Sequence, residues 1–421
     1  MENKHSFLKG ALCGALAMFI GGGAIFGGVS LGKNVAEKIR KNENNSIQSS
    51  ESVLNAESKE KLKEIEKIID EHYLRDTDTE DLEDGMYAGI LAGLNDPYST
   101  YYTEEETKEL FETTSGEYIG IGAAMSQNLD TGIITVSRVY KDSPAEKAGM
   151  RSEDILYKVE GEEVTGEELD EVVADIKGEE GTEVHITVLR REEREEIELT
   201  AVRGKVEAQT VEFEMKEDQI GYISVSEFDS VTMGQFEQAL TTLEEQDIQG
   251  LVIDLRSNPG GNLDTVCNML ELILPEGTIV STKDRSGKEE EIRGSGKNDF
   301  DTPLAVLVNG YSASASEIFA GAVQDYKIGT IVGTTTYGKG VVQQLFPLDD
   351  GTCVKVTISE YFTPKGRNID GKGIEPDVSE MRKIRRLTIN CRLRWMCFGN
   401  NRIQCTSVLK NQCSMERIYP K

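Results

Sequence analysis

Histidine is nearly absent from this chain. Only His5 near the start, His72 in a charged helical stretch and His185 in a strand-like run are present. The C-terminal half holds none, which excludes a histidine general base for a nucleophile there. No Cys pair has a His nearby, so a zinc site of ordinary ligand spacing is also excluded. Positive charge is scarce: 46 Lys and Arg stand against 75 Asp and Glu, for a net charge of −29. A chain of that sign does not take nucleic acid as a partner. The seven cysteines give no disulfide framework, and Cys267 and Cys353, isolated in apolar surroundings, read as buried thiols.

What is present begins with an uncharged, largely apolar run over residues 10–32. It is long enough to cross a bilayer and longer than the core of a signal peptide. Lys4 and Lys9 precede it, and Lys33, Lys38, Arg40 and Lys41 follow, so flanking charge does not set the orientation. No small-residue cleavage site stands out at its end. The reading is a tail over 1–9, a transmembrane anchor over 10–32 and a polar linker over 33–56. Residues 57–115 form a helical region: Leu62, Ile65, Ile68 and Ile69, then Leu82, Met86, Ile90, Leu91 and Leu94, recur at helical spacing. Such a region is suited to pair with a second copy, giving a homodimer, or to brace a catalytic body.

Residues 116–203 change character. Short β-patterned runs at Ile133–Val136, Ile155–Val159 and Val184–Val188 are separated by Ser143-Pro144-Ala145 and Ala148-Gly149-Met150. This series, with Asp154-Ile155-Leu156, resembles a PDZ domain. By that resemblance Gly120, Ile121, Gly122 and Ala123 form a carboxylate-binding loop, whose amides hold a peptide C-terminus while the peptide adds as a strand. Taken without the resemblance, the same glycines merely make turns. His185 alternates with Val184 and Ile186 and reads as structural.

From 204 to 379 the pattern is α/β, with strand-like runs at 220–225, 250–255, 304–308, 328–333 and 353–359, and helix-like stretches at 262–273 and 315–326. Three loops follow strands. The first, Asp254–Gly261, ends in Gly260-Gly261, where missing side chains let a carbonyl approach the amides; it also reads as a plain strand-to-helix turn capped by Asn262. The second carries Ser312, Ser314 and Ser316 before a helix starting near Ala315. A serine there lies at the positive end of the helix dipole, beside the Ala315 amide, although capping the helix is the commoner use of such a residue. The third, Gly333–Gly340, is one residue from a phosphate-binding loop, but Gly340 stands where a Ser or Thr is needed and a strand-like run follows, which argues against nucleotide. Lys339 between Gly338 and Gly340 can be tucked inward, where desolvation lowers an amine's pKa and makes it a usable base. Alone it also reads as a solvated loop lysine.

Together with Tyr361-Phe362-Thr363-Pro364-Lys365-Gly366, Gly371-Lys372-Gly373-Ile374-Glu375-Pro376-Asp377 and Asp96-Pro97-Tyr98-Ser99-Thr100, these loops resemble the C-terminal processing peptidases, the S41 serine peptidases, over about 57–379. The resemblance implies an α/β fold with a crotonase-like protease core, a PDZ domain, an N-terminal helical region and one N-terminal transmembrane helix. It implies Ser314 as nucleophile, Lys339 as general base, Gln343 as the residue orienting that base, and the Gly260 and Ala315 amides as the oxyanion hole. It further implies a single-pass membrane protein with its catalytic part outside the cytoplasm. The substrates would be proteins or peptides with free C-termini, and no metal or organic cofactor is required. Two other readings differ in class. A catalytically inactive PDZ adaptor would bind C-termini without cleaving them, and a crotonase-type acyl-CoA enzyme would give the PDZ segment and the anchor no role.

The resemblance stops near Asp377. Residues 380–421 carry ten Lys or Arg against two acids, four cysteines and the only tryptophan, Trp395. The frame beginning at the last base of the Leu387 codon can encode an acidic, amphipathic stretch followed by a stop codon over Asn400-Asn401. The hypothesis is that a frameshift at or just before about Met381 produced this basic, Cys-rich tail; the alternative is a genuine basic tail that touches anionic lipid. Resequencing the gene is expected to find the shift, and an intact frame through the Leu387 codon would refute it.

Overall fold

Asn55 permits the first described helix by accepting the Ser58 amide on its side chain at 3.0 Å, and α1 runs Ala56–His72. Asp78 does the same for α2 (Thr79–Ala92), accepting the Glu80 amide at 2.9 Å. The computed structural model describes residues 52–379 apart from 130, 191–194 and 299. The expected anchor over 10–32 and the basic tail over 380–421 lie outside the described residues. Among the described residues no helix is long and apolar enough to cross a membrane.

Two compact units divide the chain. One contains α1, α2 and the segment Gln343–Ile358. Neither helix buries a residue, and Ile65, Ile68, Leu82 and Ile90 of the expected apolar faces are exposed. The strand Thr100–Tyr102 pairs antiparallel with residues 353–355, and the Tyr101 hydroxyl donates to Asp84 Oδ1 at 2.8 Å. Gln343, nearly fully buried, donates from Nε2 to Thr357 Oγ1 at 3.1 Å. The Thr357 amide donates to Ser99 Oγ, whose hydroxyl donates to Asp96 at 2.5 Å. The Asp-Pro-Tyr-Ser motif thus ends in a hydrogen-bond chain that fixes the Gln343 amide.

The other unit runs from Glu109 to Val342 and resumes at 359. Helix α3 (Glu104–Ser115) leads into an antiparallel β-domain of strands Ala123–Gln127, Ile134–Val139, Ile155–Val159, Glu183–Arg190 and Glu195–Val202, hydrogen-bonded in that order. In Glu183–Arg190 the alternation places Val184, Ile186 and Val188 in the core and His185 outside, with His185 Nδ1 3.2 Å from Thr200 Oγ1. Helix α4 (Leu169–Ile176) closes the domain with Val172 and Ile176 buried. Asp154, 1% exposed, holds Arg190 through Nε and Nη2, both at 2.7 Å, and accepts the Arg151 amide at 2.8 Å.

The same unit contains a six-stranded sheet of order Val211–Lys216, Ile220–Val225, Gly250–Asp254, Leu304–Val308, Gly329–Gly333 and Val378–Ser379. All its pairs are parallel except the first. The middle strands are near-continuous apolar runs, as burial on both faces requires. Helices α5 (Thr232–Glu244), α6 (Leu263–Glu271) and α7 (Ala315–Tyr326) cover it, and most of α7 is buried. The three glycine-rich loops follow three adjacent parallel strands at their carboxyl ends, where open α/β sheets put ligand sites.

Replacing Asp154 by Ala removes the buried carboxylate that accepts from Arg190 Nε and Nη2. Such a break is expected to cost about 3–5 kcal/mol. Denaturant unfolding of Asp154→Ala is expected to show that loss, and a change below about 1 kcal/mol would contradict the role given to the pair.

Candidate active site

Ser314 occupies the N-cap of α7 in a backbone conformation few side chains adopt, φ 53° and ψ −112°. That conformation is strained by about 1–3 kcal/mol and persists only where surroundings enforce it. A buried carboxylate is among the groups that hold it. Glu317, in the first turn of α7, accepts the Ser314 amide on Oε2 at 2.9 Å, and the same oxygen accepts the Lys339 amide at 2.9 Å. Its Oε1 accepts the Gly338 amide at 2.7 Å and the Thr336 hydroxyl at 2.5 Å. Burial pushes the Glu317 carboxyl up, and these four hydrogen bonds oppose the shift. The serine loop and the lysine loop are thereby tied to one fully buried anion.

Ser-x-x-Glu is the sequence signature of a capping box, yet only its carboxylate half is used. The Glu317 amide donates to the Ser314 carbonyl at 2.8 Å, and Ser314 Oγ, fully buried, has no hydrogen-bond partner among the described residues. Its neighbours differ. Ser312 Oγ donates to the Leu255 carbonyl at 2.7 Å and accepts the Asn309 amide at 2.9 Å. Ser316 Oγ donates to the Asn258 carbonyl at 3.0 Å. Of the three hydroxyls in the loop, Ser314 alone is left uncommitted.

Gly260 lies against Ser314 at φ 113°, and a Cβ there would stand 2.8 Å from Ser314 Cβ and 3.1 Å from the Ala315 nitrogen. The Gly260 amide, expected as an oxyanion donor, donates to Asn258 Oδ1 at 2.8 Å in this structure. Asn258 sits two residues earlier, the spacing at which an Asn side chain turns back on its own backbone. What Gly260 contributes in this structure is clearance beside Ser314. The Ala315 amide begins α7, where helical geometry provides no backbone acceptor and the dipole is positive.

Lys339 is 3% exposed. The Gly371–Ile374 turn holds its loop: the Gly371 amide donates to the Gly338 carbonyl at 2.8 Å and the Ile374 amide to Thr336 Oγ1 at 2.6 Å. Asp370 accepts the Gly340 amide at 3.0 Å. A Cβ on Gly340 would lie 2.6 Å from the Asp370 nitrogen, so the backbones meet too closely for any side chain. Tyr361 links the two loops, donating its amide to the Gly340 carbonyl at 2.9 Å and its hydroxyl to the Ser314 carbonyl at 3.2 Å.

Glu317 therefore ties the Ser314 and Lys339 backbones together, and Gly260 lies against Ser314 and Ala315. Gln343 belongs to the other compact unit, and its buried Oε1 has no hydrogen-bond partner among the described residues. The loop Gly120–Ala123 lines a separate cavity of about 450 Å³. Gly122, at φ 77°, is required there because a Cβ would meet Ser143 Cβ at 2.5 Å. Sequence reasoning missed Glu317, Thr336 and Asp370. The capping-box spacing signalled Glu317, whereas nothing local marks the other two.

Three regions of the chain match known families: peptidase family S41 over 219–380, a PDZ domain over 135–190 and the activating protease CtpB N-terminal domain over 18–107. The chain belongs to peptidase family S41, within the C-terminal processing serine proteases that carry a PDZ domain. It is similar to a protein of Staphylococcus epidermidis named "Probable CtpA-like serine protease", 37% identical over 79% of this chain and 68% of that one. A Staphylococcus aureus protein of the same name is 38% identical over 76% of this chain, which spans 64% of the relative's length. Among solved structures, the photosystem II D1 C-terminal processing protease is 31% identical, with 76% of this chain and 86% of that one covered and a TM-score of 0.44.

A Glu317→Gln variant keeps the shape but turns an amide NH₂ toward backbone donors. It is expected to lose about 2–4 kcal/mol of unfolding free energy, as when a buried hydrogen-bonded charge loses its match. Parent-like unfolding in denaturant would show that the carboxylate does not hold the loops.

Proposed function

We propose that this chain is a membrane-anchored serine endopeptidase in which Ser314 is the nucleophile and Lys339 its base. The observation that carries the reading is the Ser314 hydroxyl: buried, uncommitted and strained into place while both neighbouring serines are bound structurally. Burial of Lys339 is the condition under which an amine sheds its proton near neutral pH. Neutral Lys339 takes the Ser314 proton as Oγ attacks the peptide carbonyl carbon. The oxyanion gathers at the Ala315 amide and the N-terminus of α7. The C–N bond breaks as the lysine ammonium gives its proton to the leaving amine, and water, deprotonated by the same lysine, then hydrolyses the Ser314 ester.

Gln343 has the chemistry to orient the lysine, since Thr357 occupies its Nε2 and leaves Oε1 as an acceptor. Because Ser314 Oγ is closed off from solvent, turnover requires the loops around it to open. The PDZ domain is read as the receptor for a substrate's free C-terminus, and residues 10–32 as the anchor that holds the catalytic part outside the cytoplasm. The exposed apolar faces of α1 and α2 support pairing with a second copy.

The full-length chain in detergent is expected to cleave an unfolded model protein with a free apolar C-terminus. Ser314→Ala and Lys339→Ala are each expected to lower the rate by at least about 10³-fold. Parent-like cleavage by Ser314→Ala would overturn the assignment of the nucleophile.

A further inference from the structure

The cavity beside Gly120–Ala123 has two unlike walls. One is the β-domain's own: Ile121, Ala123, Met125, Val173 and Ile176 make it apolar. The other is acidic and comes partly from the protease core. Glu227 and Asp229 follow the core strand Ile220–Val225, and Glu109 and Glu112 project from α3.

Asp229 is the unusual member. It is 6% exposed, it packs over Gly116, and its carboxyl receives no hydrogen bond and no cation from any described residue. The groups around it offer nothing to balance a charge. Glu227 on its own loop is another acid, as are Glu109 and Glu112 on α3, and Tyr118 presents a phenol. Lys177, the only cation lining the cavity, is committed to Glu112 at 3.2 Å. Burial pushes the Asp229 carboxyl up to about 7, with the Glu227 charge a smaller contributor.

A peptide C-terminus on the Gly120–Ala123 amides would bring one more negative charge into this space. We infer that Asp229, with Glu227, selects chain ends that carry a Lys or Arg side chain within the last four residues, the carboxylate going to the loop amides and the cation to Asp229. This rests on reading the PDZ domain as a receptor for C-termini. Above pH about 7 Asp229 is ionised and the preference is fully present. Below it the carboxyl takes a proton and the preference fades.

The test is fluorescence anisotropy on the full-length Ser314→Ala chain, with labelled peptides that move a single Lys through the last four positions. Peptides with norleucine or Glu in its place, and C-terminally amidated versions, serve as references. At pH 8 the best Lys peptide is expected to bind about tenfold tighter than its norleucine counterpart, the order expected of a partly buried ion pair. That ratio is expected to shrink at pH 6 and to vanish when Asp229→Asn is added, with the norleucine peptide still bound. Equal binding of the Lys and norleucine peptides at pH 8, or a preference that survives Asp229→Asn, would overturn the inference while leaving the receptor reading intact. Amidated peptides that bind as well as free acids would overturn the receptor reading, and the inference with it.

Discussion

One buried carboxylate ties the serine loop to the lysine loop. Glu317 is tolerable inside the protein because four donors converge on it, two of them the amides of Ser314 and Lys339. The Ser314 amide reaches Oε2 in its strained conformation, so this hydrogen bond helps to sustain the strain. The hydroxyl is thereby turned away from the capping role that its position at the start of α7 would otherwise give it.

Asp229 shows the opposite arrangement. It too is a nearly buried carboxyl of the same unit, yet among the described residues no donor or cation meets it, and burial raises it to about 7. A saturated carboxylate fixes backbone, whereas an unsatisfied one facing a cavity asks for a ligand. The same residue chemistry therefore serves as structure at one site and as recognition at the other, decided by the number of donors within reach.

Much of this was legible in the residues. The runs at 220–225, 250–255, 304–308 and 328–333 become strands of one sheet nearly as read, and the helix-like stretch at 315–326 is α7. Helix α5 escaped notice although Phe236, Ala239, Leu240 and Leu243 recur at helical spacing and are buried. Choosing among Ser312, Ser314 and Ser316 from the residues alone was not feasible, because their hydroxyl partners, Leu255 and Asn258, lie more than 50 residues away. The Asn258 side chain, two residues before Gly260, takes that residue's amide, a local contact the sequence reading did not include. Asp229 sits in a polar stretch that reads as loop, and its burial beside Gly116 comes from parts of the chain distant in sequence.

The central claim is that Ser314 is the activated hydroxyl and Lys339 the group that activates it. The most direct measurement is covalent labelling of the full-length chain with a serine-acylating probe, followed by peptide mapping. The predicted result is one adduct, on Ser314, that disappears in Lys339→Ala. An adduct on Ser312 or Ser316, or labelling of Ser314 that persists unchanged without the lysine amine, would contradict it.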